Sequence, residues 1–219
     1  MELIRHTNPF EIGIDEAGRG CLAGPVVAAS FMPGQDFVPP KGLNDSKKMS
    51  EKAREYCFDY LVDKYVDRMG IGMTHADVID RVNILKATMG AMHNAVQGNP
   101  GFMAGYRNGW KDFRVLLLVD GNRFERMWYP GLYGMNGEFV THETVVKGDG
   151  KYLSIAAASV IAKVTRDRHM KELAKDPKYS MYNWEKNKSY CTPDHIRAII
   201  EHGKSDRHRM TFKVPGYDK

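Results

Sequence analysis

Asp15 and Glu16 stand side by side at the end of an apolar segment, and Gly18-Arg19-Gly20 follows at once. Asp120 closes another apolar run, 115–119, and Asp149 lies between glycines in Val-Val-Lys-Gly-Asp-Gly-Lys. Adjacent carboxylates repel each other, so something positive is expected beside them. Acids at the ends of neighbouring buried strands share one rim of a sheet. Converging there, they suit two divalent ions about 3.5–4 Å apart, the arrangement of two-metal phosphodiesterases. Hard oxygen donors without a Cys or His cluster point to Mg2+ or Mn2+. A solvated loop acid or a helix cap is the plain alternative for any one of these residues. For Asp15 and Glu16 that alternative is weaker, because the glycines around them let another backbone come close.

The stretch Gly18-Arg19-Gly20-Cys21-Leu22-Ala23 also matches G-x-G-x-x-A, the dinucleotide fingerprint. That motif needs a helix to start inside it. Here Pro25 interrupts, and the run that follows, bounded by Pro33, is strand-like. The glycines are therefore not read as a nucleotide-cofactor loop.

The elements that must position these residues follow from periodicity and punctuation. Residues 10–15 read as a buried strand, and 26–32 as its hairpin partner, stopped by Pro33-Gly34. Ser50 caps a helix that runs to about Arg68, and 69–75 is a short strand. From Asp77, the spacing of Ile79, Val82, Leu85, Met89, Met92 and Val96 predicts one long amphipathic helix, ended by Gly98-Asn99-Pro100-Gly101. Residues 115–119 and 139–147 are further strands. A helix whose early turns are small residues spans 154–175, and Thr192-Pro193-Asp194 opens a last helix that ends at Gly203. Strands alternating with helices predict an α/β fold with a mixed sheet. The expected division is a catalytic domain over 1–176 and a smaller helical segment over 177–219.

The 219 residues are 42% hydrophobic and 27% charged, ordinary for a folded chain and against disorder. A net charge of +5 fits a nucleic-acid partner without establishing one. Cys21, Cys57 and Cys191 form no C-x-x-C pair, so a reducing, cytoplasmic setting is expected. The sequence shows neither a signal-peptide run nor a membrane span, and a monomer is expected.

Longer stretches carry a resemblance. "GIDEAGRGCLAGPVVAA", "LNDSKKMS", "ILKATMGAMHNAV", "LLLVDGN", "VVKGDGKYLSIAAASVIAKVTRDRHM", "NKSYCTPDHIRAIIEHG" and "HRMTF" resemble, in order, the motifs of ribonuclease HII. The resemblance spans nearly the whole chain. It implies a ribonuclease H-like fold with a helical C-terminal part. It implies an endonuclease that cuts the RNA strand of RNA–DNA hybrids and beside single ribonucleotides in duplex DNA, leaving 3′-hydroxyl and 5′-phosphate ends. By position it makes Asp15, Glu16, Asp120 and Asp149 the metal-binding catalytic acids. Gly18, Arg19 and Gly20 are similar to a loop that contacts the ribose 2′-hydroxyl and its phosphate. Tyr190 is similar to a tyrosine packed on the ribose, and Asn44, Ser46 and Lys47 resemble phosphate-contacting positions. The 2′-hydroxyl is the handle that tells this sugar from deoxyribose.

Asp149 is preferred as the fourth acid over Glu125, Glu138 and Glu143. Glu125 follows the strand too soon, Glu138 reads as a hairpin tip, and Glu143 lies inside a strand pattern. Two features depart from the family. Ser189 and Cys191 flank Tyr190 where the family usually has glycines. Residues 124–139 form a Gly/Tyr/Met-rich insertion read as a surface hairpin. The eight histidines are scattered and read as surface or capping residues, and the thirteen methionines mostly as core. His208-Arg209 reads as a phosphate contact or a solvated tail. Lys163, Arg166 and Arg168 share one helix that faces the duplex or water. Two other classes compete: a junction resolvase-like or transposase-like nuclease of the same fold, and a nucleic-acid-binding module without catalysis. The first needs the acids but not the glycine–arginine–glycine loop. The second would not place four acids where they weaken phosphate binding.

Overall fold

The computed structural model describes residues 10–107, 115–125 and 140–218. Its centre is a five-stranded sheet in the order β3-β2-β1-β4-β5, with β1 at Phe10–Ala17, β2 at Val26–Phe31, β3 at Met69–Thr74, β4 at Val115–Asp120 and β5 at Val140–Val145. β1 pairs antiparallel with β2, and β2 with β3, while β4 joins β1 and β5 in parallel. β1 is thus a central strand, and β4 is its neighbour. Residues 126–139, with Glu138 and most of the expected hairpin, lie outside the described residues.

Strand alternation divides the sheet into two faces. Ile12 and Ile14 of β1 and Leu117 and Val119 of β4 pack against α3 (Ile84–Gln97). On the other face lie α1 (Glu51–Tyr65) and the long α5 (Leu153–Leu173), with Phe31, Phe58 and Leu61 packed on Ala157, Val160 and Ile161. The small residues early in α5 let it sit almost on the sheet. A Cβ on Gly13 would fall 2.1 Å from the backbone carbon of Ser154. Gly70 and Gly72 of β3 do the same for α3, where a Cβ would fall 2.0 Å from the carbonyls of Ala95 and Ala91.

The long helix expected from Asp77 is two. α2 (Ala76–Val82) stops at Asn83, whose φ of +72° breaks the turn. The Asn83 side chain then accepts from the Lys86 N–H and caps α3. A short α4 (Pro100–Arg107) begins where only a terminator was expected, its proline needing no amide partner. β1 also runs two residues further than expected, so Asp15 and Glu16 lie within the strand rather than at its end.

After α5 come a 3-10 turn at Pro177–Tyr182, α6 (Trp184–Asn187) and α7 (Pro193–His202). Trp184, stacked between Tyr179 and Tyr182, centres a third apolar cluster that takes in Leu22, Ala23 and Met170. The C-terminal residues are thereby fastened to the chain just past Gly18-Arg19-Gly20. Among the described residues, no helix is long and apolar enough to cross a membrane.

Candidate active site

Asp15 and Glu16 are neighbours in β1, so their side chains leave opposite faces of the strand. Asp15 faces α5, and Asp120 reaches the same rim from the end of β4. Asp149 arrives from a single 3-10 turn, Gly148–Gly150, that follows β5. That turn is pinned to β4, because the Gly148 N–H donates to Asp120 Oδ1 at 2.7 Å. A side chain at Gly148 would collide with Ile155, 2.5 Å away. Asp15, Asp120 and Asp149 each bring a carboxylate oxygen within 4.8 Å of the others. Glu16 stands beside this trio, with Oε1 3.2 Å from Arg19 Nη1.

Three acids this close, two of them buried, resist ionising together. Burial, then the charges of Glu16 and Asp120, push the Asp15 carboxyl well above its ordinary value. Burial raises Glu16 as well, against the pull of Arg19. Asp149 is raised by burial and by the charges of Asp120 and Asp45. The cation the pattern demanded is Lys47. Burial alone would lower its ammonium, but Asp15, Asp149 and Asp120 raise it on balance. All the donors around the trio are hard oxygens, and they fit Mg2+ or Mn2+.

One cleft is lined by Asp15, Glu16, the 18–20 loop, Ser46, Lys47, Lys163 and Tyr190. Asn44 is exposed and outside that lining, its Oδ1 taken by the Asp45 N–H at 2.8 Å. Ser46 is buried 2.8 Å from Ser159 Oγ, and Ser159 in turn hydrogen-bonds Asp15. Ser46 thus lines the cleft and is linked to Asp15 through Ser159. Glu143 lies elsewhere, lining a separate cleft with Asn122, Arg123 and Phe124, and Glu125 lines that cleft too.

Residues read as surface cations or a tail turn out to build the cleft wall. Arg166 is wholly buried. It donates to the carbonyls of Ala23, Pro25 and Lys188 and to Ser189 Oγ, so it bridges the two segments that carry Gly18 and Tyr190. Gly18 must be glycine: its φ is +92°, and a Cβ would lie 2.0 Å from Arg166 Nε. Arg209 is equally buried and donates to the carbonyls of Gly18, Arg19 and Gly24. Ser189 holds a φ of +63°, which explains the family's glycine there. Its hydroxyl compensates by donating to the Ala23 carbonyl at 2.7 Å. Lys163 joins the site, with Nζ 5.0 Å from the centre of the Tyr190 ring and 2.8 Å from Asp167. Arg168 faces α1, pairing with Glu55 and Asp59.

Asp45 and Ser159 were missed from the sequence. Asp45 sits inside the "LNDSKK" stretch and shares a hydrogen bond with Asp149. Ser159 had a readable signal, being the one polar residue in the apolar run from Ile155 to Ala162 at the start of α5. His195 and His208 are also corrected, since both are buried.

The ribonuclease HII family model matches residues 12–214. A ribonuclease HII of Bacteroides thetaiotaomicron is 44% identical over 207 residues, 94% of this chain and 91% of that relative. A ribonuclease HII of Porphyromonas gingivalis is 44% identical over 93% of this chain and 89% of its own. Among solved structures, the PCNA:RNase HII complex from Archaeoglobus fulgidus superposes with a TM-score of 0.65 at 24% identity, covering 94% of this chain and 96% of that one. The mixed sheet between helices is thus the ribonuclease H-like fold. With its family motifs running from β1 to the last residues of the C-terminal cluster, the chain belongs to the ribonuclease HII family of endoribonucleases.

Proposed function

We propose that the chain hydrolyses the RNA strand of RNA–DNA hybrids and cuts 5′ of ribonucleotides embedded in duplex DNA, by two-metal-ion hydrolysis that leaves 3′-hydroxyl and 5′-phosphate ends. The carrying observation is one cleft that joins the buried Asp15 rim to the 18–20 loop and Tyr190. Asp15, Asp120 and Asp149 would hold the ions, Mg2+ or Mn2+, with Glu16 as the fourth ligand. Bound there, the ions would stabilise charge on the attacking and leaving oxygens. Arg19 leaves Glu16 for a substrate phosphate. The 18–20 backbone hydrogen-bonds the 2′-hydroxyl, and the Tyr190 ring packs on the ribose. Lys47 and Lys163 attract the phosphates flanking the cut. The 177–218 segment thus serves substrate binding, and the chain acts as a monomer.

The test is cleavage of a DNA duplex with one internal ribonucleotide, with and without magnesium. Cutting should need the ion. An all-DNA duplex should resist by about 10⁴-fold or more, since a site built around a hydroxyl rejects the analogue lacking it. Comparable cutting of both duplexes would favour a junction resolvase-like nuclease. Tight binding without cutting would favour a binding module.

A further inference from the structure

Tyr190 follows two non-glycine residues in the left-handed region, Lys188 at φ +49° and Ser189 at φ +63°. Such a backbone persists only when its surroundings over-determine it. Arg166 and Asn187 hold the residues before Tyr190. Tyr190 itself is held at both ends of its backbone: its N–H donates to the Asn187 carbonyl at 2.9 Å, and its carbonyl accepts from the Thr192 N–H at 2.8 Å and meets His195 Nδ1 at 3.0 Å.

His195 lies in the first turn of α7 and is wholly buried, as is His208 to within 1%. Their partners dictate where the protons sit. The indole Nε1 of Trp184, 3.0 Å from His195 Nε2, can only donate. His195 Nε2 is therefore an acceptor, and its proton is on Nδ1, directed at the Tyr190 carbonyl. On His208, Nδ1 accepts the Ser205 backbone N–H at 2.9 Å, so the proton is on Nε2. That proton points at His195 Nε2, 3.1 Å away, and shares its one lone pair with the Trp184 indole in a three-centre bond. The chain of bonds runs from Ser205 through His208 and His195 to Tyr190, and each imidazole has one tautomer that satisfies it. A second proton on either ring would set N–H against N–H. Burial acts in the same sense, lowering both imidazoles.

We propose that His195 and His208 are positioning residues for Tyr190: a neutral, directionally hydrogen-bonded imidazole pair that fixes the Tyr190 backbone where its ring meets the ribose. The inference rests on the reading of Tyr190 given above. Neither imidazole touches substrate; both act through the Tyr190 carbonyl.

Two measurements test it. Long-range proton–nitrogen spectra of the full chain at neutral pH should show His195 protonated at Nδ1 and His208 at Nε2. A proton on His195 Nε2, or a cationic ring at either position, would overturn the proposal. This reading needs no variant, so it holds whether or not any substitution folds. The second measurement is binding, with cleavage blocked by Asp120→Asn. The parent is compared with His195→Leu and His195→Asn on an all-DNA duplex and on one carrying a ribonucleotide. Loss of the hydrogen bond to the Tyr190 carbonyl should make His195→Leu lose roughly fivefold to tenfold of the preference for the ribonucleotide. Affinity for all-DNA should stay level. In His195→Asn the amide can replace the Nδ1–H donor, so the preference should return. General unfolding would scale both affinities alike and leave their ratio unmoved. A preference retained in a folded His195→Leu overturns this inference alone. A parent that binds both duplexes equally overturns the reading of Tyr190 and, with it, the inference.

Discussion

At the residue scale, the rim of acids works against the fold that carries it. Asp15 is buried and its carboxyl is held well above the ordinary value by burial and by Glu16 and Asp120. A raised acid binds its proton more readily folded than unfolded, so above the unfolded value the charge destabilises the metal-free protein. Asp15→Asn should therefore raise the metal-free Tm while lowering single-turnover cleavage by at least about 10²-fold, as expected when a group that places transition-state charge stabilisation is lost. Calorimetry with chelator and a quenched cleavage assay check the two halves, and a lower Tm would show that the charge is not strained. The same logic separates Asp149 from Glu143. Asp149→Asn should cut turnover far more than duplex binding, because a metal ligand acts mainly in the transition state. Glu143→Gln should leave turnover within about threefold, because the half-buried Glu143 lines a cleft apart from the acid rim. A dead Glu143→Gln beside an active Asp149→Asn would move the fourth ligand onto β5. The acids were legible because carboxylates at strand ends are a rare and costly pattern. Arg166 and Arg209 were not, since an arginine looks the same in sequence whether it meets water or, as these two do with four and three bonds, backbone and hydroxyl acceptors.

At the element scale, the site depends on how closely α5 lies on β1. Asp15 sits two residues from Gly13, and Ser159 reaches it from α5. Gly13→Ala puts a methyl into the backbone of Ser154, which has no flexible end to yield. Overpacking of this kind costs about 1–3 kcal/mol, occasionally more. The measurement is urea unfolding, paired with cleavage. Stability should fall by that amount, and cleavage should fall further than the unfolded fraction explains, because the shift separates Asp15 from Ser159. Unchanged stability would mean that α5 is free to move outward. The small residues of 154–162 made this contact legible in outline. The break at Asn83 was not legible, because asparagine interrupts neither the apolar spacing of 79–96 nor the charge pattern. Only its left-handed φ, with the cap it gives Lys86, ends one helix and begins the next. How two adjacent acids are tolerated is also an element-scale matter. Strand alternation turns Asp15 and Glu16 apart, but both line one cleft and still repel, so Lys47 answers both while Arg19 pairs with Glu16.

At the scale of the whole molecule, the C-terminal residues are joined to the catalytic sheet by a seam that is partly apolar and partly titratable. Leu22 and Ala23 enter the Trp184 cluster, and His195 and His208 sit at its centre. Burial, then His195 and Lys204, hold His208 down to about 3. A histidine depressed in the folded state is neutral there while the unfolded chain takes up a proton. Its contribution is complete above the unfolded value near 6.5 and is lost progressively as pH falls from there toward about 3. Each such proton gives a slope of about 1.4 kcal/mol per pH unit. The raised acids of the rim titrate in the opposite sense, so the bare acid curve of the protein mixes the two. The difference between two proteins isolates the seam. Unfolding free energies of the natural chain and of His208→Gln, measured by urea between pH 6 and pH 4 in chelator, should diverge in slope. The variant's slope should be shallower by about 1.4 kcal/mol per pH unit, because one proton fewer separates its unfolded from its folded state. Carboxylates contribute equally to both proteins and cancel. Parallel slopes would mean that His208 already exchanges its proton in the folded chain. The seam would then be open to solvent, and the C-terminal segment would undock without unfolding the sheet.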